Sequence, residues 1–479
     1  MPYAFYFDSS SCSGCKACQV ACQDKNNLPL GMLWRRVYEV SGGQWTRTGE
    51  AWTSTVFAYN LSIACNHCVH PKCAGVCPVD AYEVRPDGVV LIDPQKCIGC
   101  GYCAWACPYD APQMDRSVGS MTKCNLCCDN LDAGLPPACV AACPLRCLEL
   151  VETDDPGINA LGQVLWKISG AEHPFPLSKL SRTEPHMVIK PHPGVKLVGE
   201  GTTVSNREEI TPTGPLATAR AEIPLVIFTL LAQMAIGAFV TIFIIYSFLS
   251  NKLIAGQITL IPLLATGAAV IVALLVSFFH LGSPQNAWRA LNHLRKSWLS
   301  REILFATGFA GLWAILTGLR LVKFGNFSVW MILATVTAVS GLVAVYSMNR
   351  VYQLRSVPIW NTGRTLLEFT LSTLSLGCLL TGTLLPREAP AGVVVWIVQT
   401  CSVTFFASCL VSISRTNSDY KKLSKWRTRL LLTGLLGTMA LFIWPSRIWI
   451  AGLYFIFIIA LVEETIGRWL FYSRRNPGI

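Results

Sequence analysis

Charge is scarce in this chain. Asp, Glu, Lys and Arg make up 14% of its 479 residues, against 52% hydrophobic residues and a mean hydropathy of +0.44. That balance excludes a disordered chain and argues against a purely soluble protein. Acidic residues are scarcest towards the C-terminus: residues 215–479 hold 7 Asp/Glu against 22 Lys/Arg, and residues 1–214 hold 21 against 17. The formal net charge of +11 therefore divides into +15 and −4. The basic excess lies among long apolar runs, which weakens a nucleic-acid reading, so no nucleic-acid partner is expected. Cysteine is nearly absent from the basic half: of 21, 18 lie at or before Cys147 and only Cys378, Cys401 and Cys409 follow. The N-terminus has no basic segment leading into an apolar one, no small-residue cleavage site and no twin arginine, so no cleavable signal is expected. Cysteines so numerous in a secreted domain would suggest disulfides; without a signal they point to metal ligation.

Sixteen of these cysteines fall into four groups: Cys12, Cys15, Cys18 and Cys22; Cys65, Cys68, Cys73 and Cys77; Cys97, Cys100, Cys103 and Cys107; Cys124, Cys127, Cys139 and Cys143. The first and third groups are CxxCxxCxxxC runs, the spacing of bacterial ferredoxin clusters, and proline follows the last cysteine of the second, third and fourth. Three thiolates on a tight loop reach three corners of one iron–sulfur cube, and the fourth cysteine ligates the other cluster of a pair. Sixteen ligands thus predict four [4Fe–4S] clusters. Isolated four-ligand zinc sites do not explain two such runs. The spacing leaves nested and sequential pairing of the groups open. Cys128 and Cys147 fall outside the pattern and read as buried structural thiols. Strands are expected at 55–62 and 88–93, the latter between Asp87-Gly88 and Pro94. The expected fold of residues 1–173 is an α+β ferredoxin-like domain, two intertwined two-cluster units forming an internal repeat.

Residues 174–214 turn to Pro, Gly, Ser and Thr and read as an extended linker. Residues 215–479 read as an all-α bundle of eight transmembrane helices, near 222–249, 258–280, 302–322, 327–348, 365–385, 391–413, 429–445 and 448–471. An even number of spans puts both termini on one side. Seventeen Lys/Arg then fall on the side of the cysteine domain and five opposite. By the positive-inside rule the cysteine domain faces the cytoplasm from the inner (plasma) membrane. Ionisable groups at the membrane edge are the functional suspects. His280 closes the second span, Glu302 opens the third, and Arg289 lies between them. A quinone needs a hydrogen-bond partner and a proton carrier close to a cluster; His280 and Glu302 suit that work at neutral pH, with Arg289 a further contact. Glu368, Glu463 and Glu464 are weaker candidates that read as helix packing or a pair with Arg468. His280 and His293 are the only histidines of this half, and both lie near one interface. A bis-histidine haem needs ligands facing each other across helices, so no haem is expected. The remaining readings are a cluster-driven ion or proton transporter, which needs a chain of ionisable groups across the bilayer, and a membrane-tethered ferredoxin without a quinone site.

Phe7-Asp-Ser-Ser ahead of the first group, Asn66-His67 in the second and Met121-Thr-Lys-Cys124 together resemble the iron–sulfur subunit of the dimethyl sulfoxide reductase family. His280-Leu-Gly-Ser-Pro284 and Glu302 resemble the membrane anchor subunit of the same family, so nearly the whole chain is similar to those two subunits fused. The resemblance implies nested pairing: Cys12, Cys15, Cys18 with Cys143; Cys124, Cys127, Cys139 with Cys22; Cys65, Cys68, Cys73 with Cys107; and Cys97, Cys100, Cys103 with Cys77. It implies a molybdopterin catalytic subunit as partner and exchange with the membrane menaquinone/menaquinol pool near His280 and Glu302, in anaerobic respiration. Where nitrate reductase relatives carry tryptophan and a three-iron cluster, this chain has Cys103, which implies four-iron clusters throughout. The best-known relatives face the periplasm with an exported catalytic subunit. The inward charge bias here resembles cytoplasm-facing sulfite-oxidising relatives, which run electrons into quinone.

Overall fold

A computed structural model describes residues 2–152, 183, 185–190, 192–194, 203–205, 223–248, 252–324, 327–385, 391–413, 421–443 and 449–473. The N-terminal part is built of short pieces, because each cysteine loop interrupts regular backbone. Five short helices follow or carry the cysteine loops: α1 (Ala17–Lys25), α2 (Lys72–Val76), α3 (Tyr102–Ala106), α4 (Cys128–Asp132) and α5 (Ala138–Ala141). They hold the later cysteine of a loop, such as Cys18, Cys73, Cys103 and Cys139, facing inward.

Strand β1 (Tyr3–Asp8) buries Phe5 and Phe7 on one face, as period-2 alternation requires. The strands that follow are β2 (Arg36–Gly42), β3 (Trp45–Thr48), β4 (Ala51–Ser54), β5 (Phe57–Ile63), β6 (Tyr82–Val84), β7 (Val90–Ile92), β8 (Gln113–Asp115), β9 (Ser120–Thr122), β10 (Leu148–Glu152), β11 (Met187–Lys190) and β12 (Thr203–Ser205). They form two three-stranded sheets, β10-β1-β11 and β12-β2-β5, and three hairpins, β3-β4, β6-β7 and β8-β9. The strands expected at 55–62 and 88–93 are β5 and the shorter β7. An apolar core beneath the two sheets gathers Phe5, Phe7, Val37, Val40, Leu61 and Leu148 around Cys18, Cys22 and Cys139.

Most of residues 174–214, expected as an extended linker, lie outside the described residues; two strands within them pair with the cysteine domain. β11 runs parallel to β1, Phe5 opposite Met187 through Asp8 opposite Lys190, and β12 pairs antiparallel with β2. Met187, Val188 and Ile189 are apolar and buried, which draws this stretch onto the sheet edge despite its surroundings.

Eight long helices follow among the described residues: α6 (Ile223–Phe248), α7 (Lys252–Ser277), α8 (Trp298–Leu321), α9 (Phe327–Tyr352), α10 (Gly363–Thr383), α11 (Ala391–Ile413), α12 (Lys421–Ile443) and α13 (Trp449–Ser473). Five apolar stretches, in the first five of these helices, are long and apolar enough to cross a membrane by length and composition. Helix α12 starts eight residues before the apolar run that foretold it, because Lys, Leu and Arg are good helix formers and extend the helix past its apolar part. Helix α6 packs on α7, α9, α10 and α13 and forms the middle of the bundle. It meets α10 backbone to backbone: a Cβ on Gly237 would stand 1.8 Å from Thr373 O, and one on Gly377 2.1 Å from Gly237 C. Such small-residue crossings join helices where no water drives association.

Candidate metal centres and membrane junction

The structure brings thiols from distant groups together. Cys12, Cys15 and Cys18 line one cavity with Cys143. Cys65, Cys68 and Cys73 line another with Cys107. Cys127 and Cys139 neighbour Cys22, as does Cys124, and Cys97 and Cys100 neighbour Cys77. Cys147, set aside by the spacing rule, lines the first cavity, its Sγ 3.5 Å from that of Cys143. No three His, Cys, Asp or Glu side chains among the described residues converge on a point for one metal ion. The thiols ring cavities instead, which suits a multi-iron cage better than one zinc ion.

The donor set also fits such a cage. Burial is the main cause that pushes the Cys22, Cys68, Cys73 and Cys100 thiols up to about 12. A free thiolate is therefore costly at these positions, and a bound cationic metal offsets that cost. Backbone N–H groups aim at the sulfurs: Gly99 at Cys97 Sγ (3.3 Å), Met121 at the same sulfur (3.4 Å), Ala81 at Cys77 Sγ (3.4 Å) and Leu126 at Cys124 Sγ (3.4 Å). Donors directed at sulfur favour its charged, ligating form.

The 3-10 turn and loop of residues 278–300 grip the third cysteine loop. Gly282 N donates to Gly99 O (3.3 Å), Ser283 N to Ile98 O (3.0 Å) and Ser283 Oγ to Gly119 O (2.9 Å). Asn286 Nδ2 donates to Gln95 O (3.0 Å) and Cys97 O (3.3 Å). His293 Nδ1–H donates to Cys77 O (2.9 Å), Ser297 Oγ to Val76 O (2.8 Å) and Ser300 Oγ to Pro78 O (3.4 Å). The loop thus closes over the residues that carry Cys77 and Cys97. Arg289 belongs to this docking set: its Nη1 donates to Gln95 O at 2.7 Å.

His280 and Glu302 flank the same loop. Their neighbours Leu281 and Ile303 pack into one apolar cluster with Cys77, Cys97 and Cys103. Glu302 is 3% exposed, and His280 Nδ1 is buried without a hydrogen bond of good geometry. Glu302 lies beside Tyr102, whose phenol is pushed up by burial and then by that carboxylate, and so stays protonated. Sequence reasoning misses Tyr102 and Trp105. Both sit on α3 between cysteines yet are buried in the core of the membrane helices. Trp105 packs against Tyr352 (5.9 Å) and Trp360 (5.6 Å), and Tyr352 Oη is 2.6 Å from Tyr472 Oη. The signal was there: Tyr102-Cys-Ala-Trp-Ala106 gives its non-ligand positions to apolar residues, as a helix buried on all sides does. Glu463 and Glu464 prove to be paired, though not with Arg468: Glu463 with Arg427, and Glu464 with Ser372 Oγ at 2.7 Å. Arg468 Nη2 donates to Gln233 Oε1 at 2.7 Å.

Buried cysteine groups, wrapped by ferredoxin-like elements and gripped by apolar helices, define an iron–sulfur electron-transfer protein of the membrane. Residues 216–473 match the DMSO reductase anchor subunit family, and residues 56–153 match the 4Fe–4S dicluster domain. The protein is 42% identical over 209 residues to the B subunit of the anaerobic dimethyl sulfoxide reductase of Escherichia coli, covering 43% of this chain and 98% of that subunit. It is 42% identical over 199 residues to the same subunit from Haemophilus influenzae, covering 41% and 93%. It is 37% identical over 188 residues to the formate dehydrogenase iron–sulfur subunit of Wolinella succinogenes, covering 35% and 89%. The chain therefore belongs to the dimethyl sulfoxide reductase family, with the iron–sulfur subunit and the anchor subunit fused in one integral membrane protein.

Proposed function

We propose that the chain passes electrons between menaquinol/menaquinone, bound at His280 and Glu302, and a molybdopterin catalytic subunit docked on the cysteine domain. The ligands are the nested sets: Cys77, Cys97, Cys100, Cys103; Cys65, Cys68, Cys73, Cys107; Cys22, Cys124, Cys127, Cys139; and Cys12, Cys15, Cys18, Cys143. When bound, four [4Fe–4S] clusters supply centres that take up and release single electrons. The order of the sets follows from their neighbours. Cys103 adjoins Cys73, Cys124 adjoins Cys65, and Cys18 adjoins Cys139. The set with Cys97 is held at the membrane junction, while Cys15 of the last set is exposed, where a partner reaches it.

The observation that carries this reading is the buried Glu302 beside Tyr102, on the loop that also holds Cys100 and Cys103. Glu302 accepts the proton of one quinol hydroxyl and His280 that of the other, while the two electrons pass one at a time to the cluster set with Cys97; Tyr102 and the apolar wall of Leu281 and Ile303 keep water out. Arg289 holds the loop on the cysteine domain, one step from the quinol. The expected frame is 1–173 cluster domain, 174–214 connector and 215–479 anchor of eight spans, without haem and facing the cytoplasm. That inward orientation also favours a second direction of flow, into quinone, as in sulfite-oxidising relatives. Glu302→Gln and His280→Leu test the site. Quinol-driven reduction of the clusters should fall at least about 100-fold, the usual worth of a positioned proton acceptor, while dithionite still reduces them fully. Turnover equal to the unsubstituted protein in both variants would refute the assignment.

A further inference from the structure

Arg35, on the turn before β2, is 1% exposed. Its guanidinium stacks 4.2 Å over the Phe5 ring, and Nη1 donates to Ser62 O (3.4 Å) and Ser62 Oγ (3.2 Å). Nε and Nη2 are buried and meet no hydrogen-bond partner. A guanidinium does not shed its proton inside a protein, and burying one without an anion is costly. The strongest charges acting on Arg35 come from the thiols of Cys139, Cys124, Cys18 and Cys22. Those four cysteines belong to two different ligand sets. Ser62 Oγ also lies 3.3 Å from Cys18 Sγ, which links the guanidinium to one set through a single hydroxyl.

We infer that Arg35 is the shared counter-ion of the two outer clusters and holds both of their reduction potentials up. This rests on the nested ligand sets proposed above. The sign is fixed by electrostatics: reduction adds one negative charge to a centre already made negative by its thiolates, and a fixed cation nearby favours the reduced form. Low dielectric around a fully buried cation preserves the effect. One residue then biases two consecutive centres together, at the end of the relay that faces the partner. Arg35 itself touches no reacting atom; it is a positioning residue for charge.

The test is a redox titration followed by electron paramagnetic resonance on the full chain in detergent, with its clusters. In Arg35→Met two of the four cluster signals should fall together, their reduction equilibria shifting at least tenfold, which is 59 mV for a one-electron couple. Arg35→Lys should keep both close to their original values. The two inner clusters should not move in either variant. If Arg35→Met fails to retain its clusters, Arg35→Gln decides: it keeps a donor for Ser62 O but removes the charge, so the same two signals should fall together. Unchanged potentials in the assembled variants, or four signals moving alike, would overturn the inference. An unsubstituted chain with fewer than about 16 iron atoms, or with fewer than four signals, would instead mean that the ligand sets are wrong.

Discussion

Replacing Gly282 by alanine tests the junction between the membrane loop and the third cysteine loop. A Cβ at this position would stand 2.3 Å from Gly119 O and 2.8 Å from Gly119 C. Heavy atoms in contact need about 3.5 Å, so the two backbones must part by roughly 1 Å. The obstacle is main chain on the turn between β8 and β9 and cannot rotate aside. Parting them breaks the hydrogen bonds from Gly282 N to Gly99 O and from Ser283 to Ile98 O and Gly119 O. At about 1 kcal/mol net for each, the junction weakens by about 3 kcal/mol, roughly a 100-fold loss of the docked arrangement. Asn286, Arg289 and His293 hold the next stretch, so the domain stays attached. The assay is stopped-flow reduction of the clusters by a quinol analogue. The rate should fall at least tenfold while the dithionite-reducible absorbance and the inhibition constant of a quinone analogue stay unchanged. Reduction of the alanine variant at the original rate would refute the view that electrons cross here.

Further expectations concern metal content and acid. Sixteen ligands predict about 16 iron atoms per chain, and Cys107→Ser should lower the count by up to about four, measured by metal analysis of purified protein. A Cys378→Ser control should leave it unchanged. Asp8 is pushed up by burial, but bonds from Lys190 Nζ (2.8 Å), Ser10 and Ser11 outweigh that and hold it at about 2. Its stabilising effect is complete above the unfolded value near ~3.9 and is lost as pH falls through the folded value. Asp8→Asn should therefore flatten the acid dependence of stability between about pH 4 and 2, followed by circular dichroism. An identical acid profile in the variant would remove Asp8 from the account.

Much of this molecule is legible in its sequence. The cysteine spacings carry their own geometry, and the apolar runs foretell most helix ends to within a few residues; α7 and α12 begin well before their runs, at Lys252 and Lys421. The junction is not legible. Ser283, Asn286, Ser297 and Ser300 are ordinary polar residues, and their partners are main-chain carbonyls, which leave no mark in a sequence. Arg35 is equally silent, because one arginine among 39 basic residues shows its meaning only once burial and neighbours are known. Arg289 reads as a cofactor contact because it lies between His280 and Glu302; its bond to Gln95 O is again to a main-chain carbonyl, which the sequence does not announce. β11 is hidden by the composition around it, since three apolar residues within a Pro- and Gly-rich stretch do not make a strand signal until an edge is available to receive them.

The membrane loop holds the cysteine domain through hydrogen bonds that are individually weak, together with Tyr102 and Trp105 buried among the membrane helices. Here the two halves share one chain. Linking them turns docking into an intramolecular event at high effective concentration, so weak contacts suffice and dilution does not separate the halves. Each cluster-bearing domain is synthesised with its own anchor in a fixed one-to-one ratio, and no unpaired copy of either half competes for the other. The catalytic subunit proposed above would therefore meet a finished two-part surface rather than two subunits awaiting assembly.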